Sequence, residues 1–383
     1  MKKSIFLIPC LLTGGTEVAT LETAKTLSKL GYIVDTLVYF DEVDPAMLDS
    51  FIKSGIHVIQ LNLVRPSSIA SRLLLAYRIG CTLAKCRYQI AWLQYMTPTL
   101  LPLIIARFFS SKLVSAVHVA SSHYNAAGLA RIRWLARRWC NQFVCVSNAA
   151  ADGIFGTAEI RKRFNGRVSV IPNPIDCDQV RSSTARNWKS EFGWPEDVIV
   201  IGFAGRLAHI KGPDLLLQAI ARMAKNQHSI RLVFVGDGAE MAALRDQAEH
   251  LGVADITRFA GRLTRGQIYG AIKGFDIAIV PSREEGFGLS ALEAMAAGVP
   301  LVASRVDALT EVVIDGKTGL LFKPEDPEDL ALRLCSLIRD ASLRKRLAEE
   351  GTSHAERTYG LPHFRQHISS LLQRLGLGTE QTH

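Results

Sequence analysis

Short, almost purely apolar runs recur along the chain, separated by longer stretches in which apolar residues return every three to four positions. The runs at 5–12, 32–40, within 55–62, and at 90–94, 112–117, 143–147 and 168–171 predict buried parallel strands in the first half. Those at 198–203, 232–235, 256–259, 275–280 and 301–304 predict a second set. Helical patterns open at Gly14-Gly15 and run to about Leu30, and return at 68–85, from Pro213, and at 289–297, 327–339, 342–357 and 363–375. Gly31 stops the first of these, and Gly298 with Pro300 stops that at 289–297. Strand and helix alternate throughout, which is the signature of an α/β chain with parallel sheets. Pro172-Asn173-Pro174-Ile175-Asp176 punctuates the middle and reads as a crossover between two domains. The tail after Gly376 is expected to fray.

Composition changes this picture little. A chain of 383 residues is long enough for two cores. The seven cysteines are scattered and form no C-x-x-C, which points to free thiols in a reducing compartment. Lys2-Lys3 followed by 5–8 imitates a leader, but the apolar run is short and Pro9 interrupts it; a first buried strand is expected instead. No apolar run reaches the roughly 18 residues that span a bilayer. The longest, 100–109, contains Pro102 and Arg107. A cytoplasmic protein, free or peripheral at the inner face of the membrane, is expected.

Charge changes it more. The net charge is +9, yet from Ser50 through Ala151 there is no Asp and no Glu, against twelve Lys and Arg. A basic surface without a partner is one reading. Nucleic acid, anionic lipid headgroups or a phosphate-bearing acceptor are others. On a helical wheel of 129–139, Ile132, Leu135 and Trp139 share one side, while Trp134 lies among Arg131, Arg133, Arg137 and Arg138. Trp134 packing on a neighbouring helix is one explanation; an aromatic seated among lipid phosphates is another, and it favours an anionic membrane surface. Nucleic acid is disfavoured, since no motif for it accompanies the charge.

The densest chemistry lies at 281–300, PSREEGFGLSALEAMAAGVP. It reads as a glycine-containing turn between a strand and a helix, offering free N–H groups and a helix dipole to a phosphate. Gly286 and Gly288 permit close backbone approach. Glu285 can accept hydroxyls of a sugar, and Glu293, eight positions on, can accept the two hydroxyls of a ribose. Taken alone, such a pair is a surface Glu and a helix-start carboxylate. Upstream, Gly205-Arg206-Leu207 is followed by Lys211-Gly212: a guanidinium fork and a point charge suited to a diphosphate, or else exposed helix-start cations. G-x-G-x-x-G is absent, which counts against a dinucleotide dehydrogenase.

These residues carry a resemblance. The E-x7-E segment with its flanking PS and EGFGL-x-x-LEAMA-x-G-x-P, together with G-R-L-x-x-x-K-G, resembles the retaining glycosyltransferases of family 4. The resemblance implies the GT-B architecture, two Rossmann-like α/β domains with parallel sheets facing each other across a cleft. It implies residues 1–178 as the acceptor-side domain, with helix 360–383 packing back on it, and 179–359 as the nucleotide-sugar domain. Arg206 and Lys211 would then hold the donor diphosphate, and Gly15 would approach it. Arg262 and Leu263 would lie at the nucleobase. Glu285, Gly286, Phe287, Gly288 and Leu289 would line phosphate and sugar, and Glu293 would hold the ribose. His118, or less well His123, would meet the donor sugar. Pro174 replaces the Gly usual in the family crossover. Asp176-Cys177-Asp178 spells a metal motif of the other main glycosyltransferase architecture, but in a linker with no strand before it, so it reads as coincidence.

The implied function moves a sugar from a nucleotide diphosphate sugar to a glycan or lipid-linked acceptor, in cell-surface polysaccharide or lipopolysaccharide synthesis. The donor is a substrate; no cofactor and no metal are expected. A sugar-nucleotide epimerase of the same fold would differ by turning over donor without acceptor. A non-catalytic partner would give a flat nucleotide-sugar titration.

Overall fold

The structure, a computed structural model, describes residues 2–12, 14–94, 100–223 and 229–378. It divides into two units, residues 1–174 with 362–383, and residues 175–361. Each is built on one parallel sheet, so both are Rossmann-like α/β units.

The first unit contains β1 (Lys2–Ile8), β2 (Tyr32–Phe40), β3 (His57–Leu63), β4 (Tyr88–Gln94), β5 (Ser110–Val117), β6 (Gln142–Cys145) and β7 (Val168–Val170). Their order is β3-β2-β1-β4-β5-β6-β7. Period-two alternation sends Ile5 and Leu7 to one face, where Leu75, Ile79, Leu103, Ile132 and Leu135 of the helices Ile69–Ala84, Leu100–Phe109 and Ala126–Arg138 cover them. Phe6 and Ile8 face the other side, under Val18 and Leu21 of the helix Gly15–Lys29 and Phe364, Ile368 and Leu371 of the helix Leu361–Arg374. β1 stops at Ile8 rather than continuing to residue 12, because Pro9 has no N–H for the ladder; Leu11 makes only an isolated bridge to Val43. Of the tail after Gly376, Leu377 packs on the second core face and its carbonyl accepts the Tyr32 hydroxyl at 3.3 Å. Residues 379–383 and Thr13 lie outside the described residues.

The second unit contains β8 (Ile199–Ala204), β9 (Ile230–Val235), β10 (Thr257–Gly261), β11 (Ile277–Val280), β12 (Leu301–Ser304) and β13 (Leu320–Phe322), in the order β10-β9-β8-β11-β12-β13. Phe203, Phe234 and Ile279 meet Leu216 and Leu334 of the helices Pro213–Arg222 and Pro327–Arg339 in its core.

All seven cysteines are free thiols. Among the described residues no helix is long and apolar enough to cross a membrane, and no group of three or more His, Cys, Asp or Glu is placed to hold a metal ion. Asp176 caps the helix Cys177–Ser182 by accepting the Gln179 N–H at 3.0 Å, and Asp178 pairs with Arg181 at 2.6 Å.

Candidate functional site

The strand order of each sheet reverses beside the first strand of its unit, at β1/β4 and at β8/β11. Turns leaving the carboxyl ends of such neighbours diverge, which is where open α/β sheets bind ligands. In the second unit the two turns are those following β8, with Arg206 and Lys211, and following β11, with residues 281–288.

Backbone contact holds these turns together. Gly212 takes a left-handed conformation (φ +62°), and a Cβ there would stand 2.1 Å from the Pro281 carbonyl oxygen. The Arg283 N–H donates to the Ile210 carbonyl at 2.9 Å. The Arg283 guanidinium grips both Asp214 oxygens at 2.7 Å, donates to the His209 carbonyl at 2.7 Å and pairs with Glu325 at 2.8 Å. Fork geometry of this kind fixes orientation as well as distance. Sequence reasoning passed over Arg283 as a charged step in the turn; an Arg between a strand-ending Pro-Ser and a Gly-rich turn was the available signal.

Within this frame Lys211 and Glu285 meet. Lys211 Nζ lies 2.5 Å from Glu285 Oε1, which also accepts the Ser282 hydroxyl at 2.8 Å. The Glu285 side chain is 9% exposed and that of Lys211 25%. Ser282 was also missed, and its carbonyl accepts the Ser304 hydroxyl from the end of β12. Arg206 is exposed, and its side chain pairs with no described residue. Arg206 and Lys211 thus share the turn after β8, the first exposed and the second already sharing its charge with a carboxylate.

The helix Leu289–Ala296 starts from Gly288 (φ +102°), which has no side-chain cap; the Ala291 N–H donates to the Gly288 carbonyl at 3.1 Å, while those of Leu289 and Ser290 donate to no described residue. Glu293 is half-buried on that helix. Phe287 turns its ring into the core, where it meets Tyr359 edge-on at 5.6 Å, leaving only its backbone to the turn. Leu289 is half-buried and Gly286 lies in the turn itself. Arg262, exposed, and Leu263, half-buried, follow Gly261 at the end of β10, whose carbonyl accepts the Gly236 N–H at 2.9 Å.

In the first unit, Gly14 is extended and uncapped at the start of the helix Gly15–Lys29. His118 follows β5, and its Nε2 donates to Gln94 Oε1 at the end of β4, 2.7 Å away. Although part of its surface reaches solvent, protein surrounds the ring densely, and this burial lowers its pKa to about 4. The imidazole is therefore neutral at pH 7. His123 lies exposed in a short 3-10 turn, Ser121–His123.

Two family profiles match the chain: Glycosyltransferase Family 4 over residues 13–179 and Glycosyl transferases group 1 over residues 184–354. A D-inositol 3-phosphate glycosyltransferase of Stackebrandtia nassauensis is 38% identical over 229 residues, covering 56% of this chain and 52% of that protein. Another, of Corynebacterium jeikeium, is 35% identical over 235 residues, covering 57% and 56%. The chain thus spans about half the length of the curated relatives it matches. Among solved structures, Anabaena Alr3699/HepE in complex with UDP and glucose has a TM-score of 0.81 at 21% identity, over 97% of this chain and 100% of that one. WaaG, a glycosyltransferase involved in lipopolysaccharide biosynthesis, has a TM-score of 0.72 at 17% identity, over 94% and 97%.

Proposed function

We propose that this chain, which belongs to glycosyltransferase family 4, transfers a sugar, with retention of configuration, from a nucleotide diphosphate sugar to a glycan or lipid-linked acceptor in the synthesis of a cell-surface polysaccharide or lipopolysaccharide. The observation that carries this reading is the cluster of Arg206, Lys211 and Glu285 on two turns joined at the β8/β11 reversal. Breaking the bond between the anomeric carbon and the diphosphate leaves negative charge on the phosphate. Fixed cations then stabilise the transition state more than the bound donor. The uncapped helix start at Gly288 adds N–H groups to the same task. Glu285 holds Lys211 in place and is itself oriented by Ser282, so it serves the sugar hydroxyls with its remaining acceptor capacity. Glu293 takes the ribose, Arg262 and Leu263 the base, and Gly15 approaches the diphosphate. His118 meets the sugar as a neutral hydrogen-bonding ring. Retention, and the parts given to Glu293, Arg262, Leu263, Gly15 and His118, rest on the family pattern. That UDP and glucose occupy the Anabaena protein supports a nucleotide-sugar donor.

A thermal-shift screen of UDP-, GDP- and ADP-sugars tests this. One class raises Tm, by mass action on the folded state, and Lys211→Ala lowers the rise only in part. No rise with any of them would remove the donor reading.

The acid-free region supports an anionic membrane surface as a second partner, on a different helix from the one the sequence pointed to. In the helix Ala126–Arg138 the Arg133 guanidinium donates to the Ile154 carbonyl, and Arg137 stacks on Phe164 at 4.5 Å, so both serve the fold. On the same side of the sheet, the helix Ile69–Ala84 leaves Ile69, Leu73, Leu74 and Tyr77 exposed beside exposed Arg72 and Arg78. Phe108 and Trp134 of the neighbouring helices are exposed as well. Apolar and cationic groups so mixed suit the headgroup boundary. Each surface cation contributes about 1 kcal/mol against anionic lipid. Arg72→Glu with Arg78→Glu should therefore cut co-sedimentation with anionic vesicles by roughly tenfold or more. Equal binding of wild type to neutral vesicles would remove the electrostatic part.

A further inference from the structure

The first turn of the helix Gly15–Lys29 contains a carboxyl group that the cluster above does not use. Glu17 is 1% exposed. The backbone of Leu12 and of Glu17 itself favours its charged form, while its Oε2 has no hydrogen-bond partner among the described residues. That oxygen points toward the Gly14 side of the turn, since a Cβ on Gly14 would stand 2.7 Å from it. An unsatisfied buried oxygen has lost its hydration without replacement, and such a group in a native fold calls for a partner.

The surroundings say which kind. Burial pushes the Glu17 pKa up to about 7. The groups that act on it supply no cation. Cys10, two residues past β1, interacts with it electrostatically, its thiol raised to about 11, and Arg65 lies beyond, paired with Glu42 and reaching Cys10. The positive end of the helix and the N–H groups of Gly14 and Gly15, which donate to no described residue, attract an oxyanion, which a carboxylate at the same turn would repel. A carboxylic acid there would instead donate to it.

We propose that Glu17 is a donor-binding residue that works in its protonated form, its carboxylic O–H donating to a phosphate oxygen of the nucleotide sugar at the Gly14–Gly15 turn. This rests on the donor reading above and adds a property that reading does not require: binding takes up a proton. The proton moves from solvent to the Glu17 carboxylate, and no covalent bond to the ligand forms. The sign follows from linkage. A bound anion favours the neutral acid and raises its pKa, so the complex holds more protons than the free protein. Below about pH 6 the group is already protonated and affinity does not vary with it. As pH rises through 7 affinity falls, at most about tenfold per pH unit, until the pKa of the complex is reached.

The test is calorimetry with whichever UDP-, GDP- or ADP-sugar stabilises the protein most. The diphosphate of such a diester keeps a constant charge from pH 6 to 8.5, so the ligand contributes no proton of its own. At pH 7.5, titration in two buffers of different ionisation enthalpy counts the protons taken up. Wild type takes up a substantial fraction of one, and its affinity falls by about tenfold between pH 7 and 8.5. Glu17→Gln keeps an N–H donor of the same shape, so it binds within about threefold of wild type at pH 6 and loses both the uptake and the decline. Glu17→Ala binds more weakly at pH 6 and is equally flat. Equal proton uptake in wild type and Glu17→Gln would overturn this inference and leave the donor reading standing. Absence of uptake in wild type would do the same without any variant, should Glu17→Gln fail to fold. If no nucleotide sugar binds wild type at any pH, both fall together.

Discussion

Lys211→Ala should lower kcat by roughly 10²-fold or more at saturating donor, in line with the loss of one preorganised transition-state charge donor. Lys211 is held 2.5 Å from a carboxylate that is itself bonded to Ser282, so the ammonium is fixed before donor arrives and no reorganisation is needed as charge develops. Its effect is therefore expected mainly in kcat, with a smaller rise in KM. The variant also leaves Glu285 poorly exposed and without its cation, beside a ligand carrying negative charge. Lys211→Ala/Glu285→Gln separates the two causes: if repulsion by the orphaned carboxylate dominates, the double variant recovers activity relative to Lys211→Ala. Wild-type turnover in Lys211→Ala would take the residue out of the mechanism. Activity that disappears in EDTA and returns with Mn²⁺ would contradict the expectation that fixed cations carry this step alone.

Where the sequence was legible, chain punctuation and period agreed. The strands at 32–40 and 301–304 and the helix at 327–339 have the bounds their patterns predict. Gly31 and Gly298, at φ +83° and +72°, end the helices they were expected to end. The helix Leu100–Phe109 gave no such signal, because it is apolar on nearly every side and a uniform run carries no period. The helix Pro45–Lys53 did announce itself, through Asp44, which caps it by accepting from Ala46 and Met47, and Pro45 in its first turn, but no element was assigned there.

The outer apolar surface of the first unit was illegible for a different reason. Leu75, Ile79 and Leu83 recur at every fourth position and are buried; Ile69, Leu73 and Tyr77 recur at the same spacing and are exposed. Periodicity identifies both stripes and cannot say which faces the sheet. The charge-bearing residues of the second unit were legible one by one, from local strand–turn–helix chemistry. Their pairing was not, because Lys211 and Glu285 lie 74 positions apart and only the β8/β11 adjacency brings them together. The Glu17 carboxyl follows the Gly14–Gly15 opening by two positions. Its burial depends on the neighbouring turn and could not be read from its place in the helix.

Gly212→Ala is expected to damage both stability and activity, through a contact that no side chain makes. The residue sits at φ +62° between the turn bearing Lys211 and the helix Pro213–Arg222, where an L side chain is strained by about 1–2 kcal/mol. A methyl group would also stand 2.1 Å from the Pro281 oxygen and 3.1 Å from its carbon. Both are backbone atoms, which cannot rotate aside as a side-chain tip can. Relief requires the two turns to separate, which stretches the hydrogen bonds of Arg283 to Ile210, His209 and Asp214 and draws Lys211 away from Glu285. The total loss should be roughly 2–4 kcal/mol. At about 2–4 °C per kcal/mol for a unit of this size, Tm falls by about 4–16 °C. Below that temperature kcat falls by roughly tenfold, since ångström-scale displacement of a catalytic charge is enough to cost that much. Gly193→Ala is the control. It has nearly the same backbone (φ +65°) with nothing within 4 Å of the added carbon, so it isolates the conformational strain from the close approach. It should lose only about 1 kcal/mol and no activity. Equal damage from the two substitutions would mean that strain at the residue, and not contact between the turns, is what Gly212 relieves.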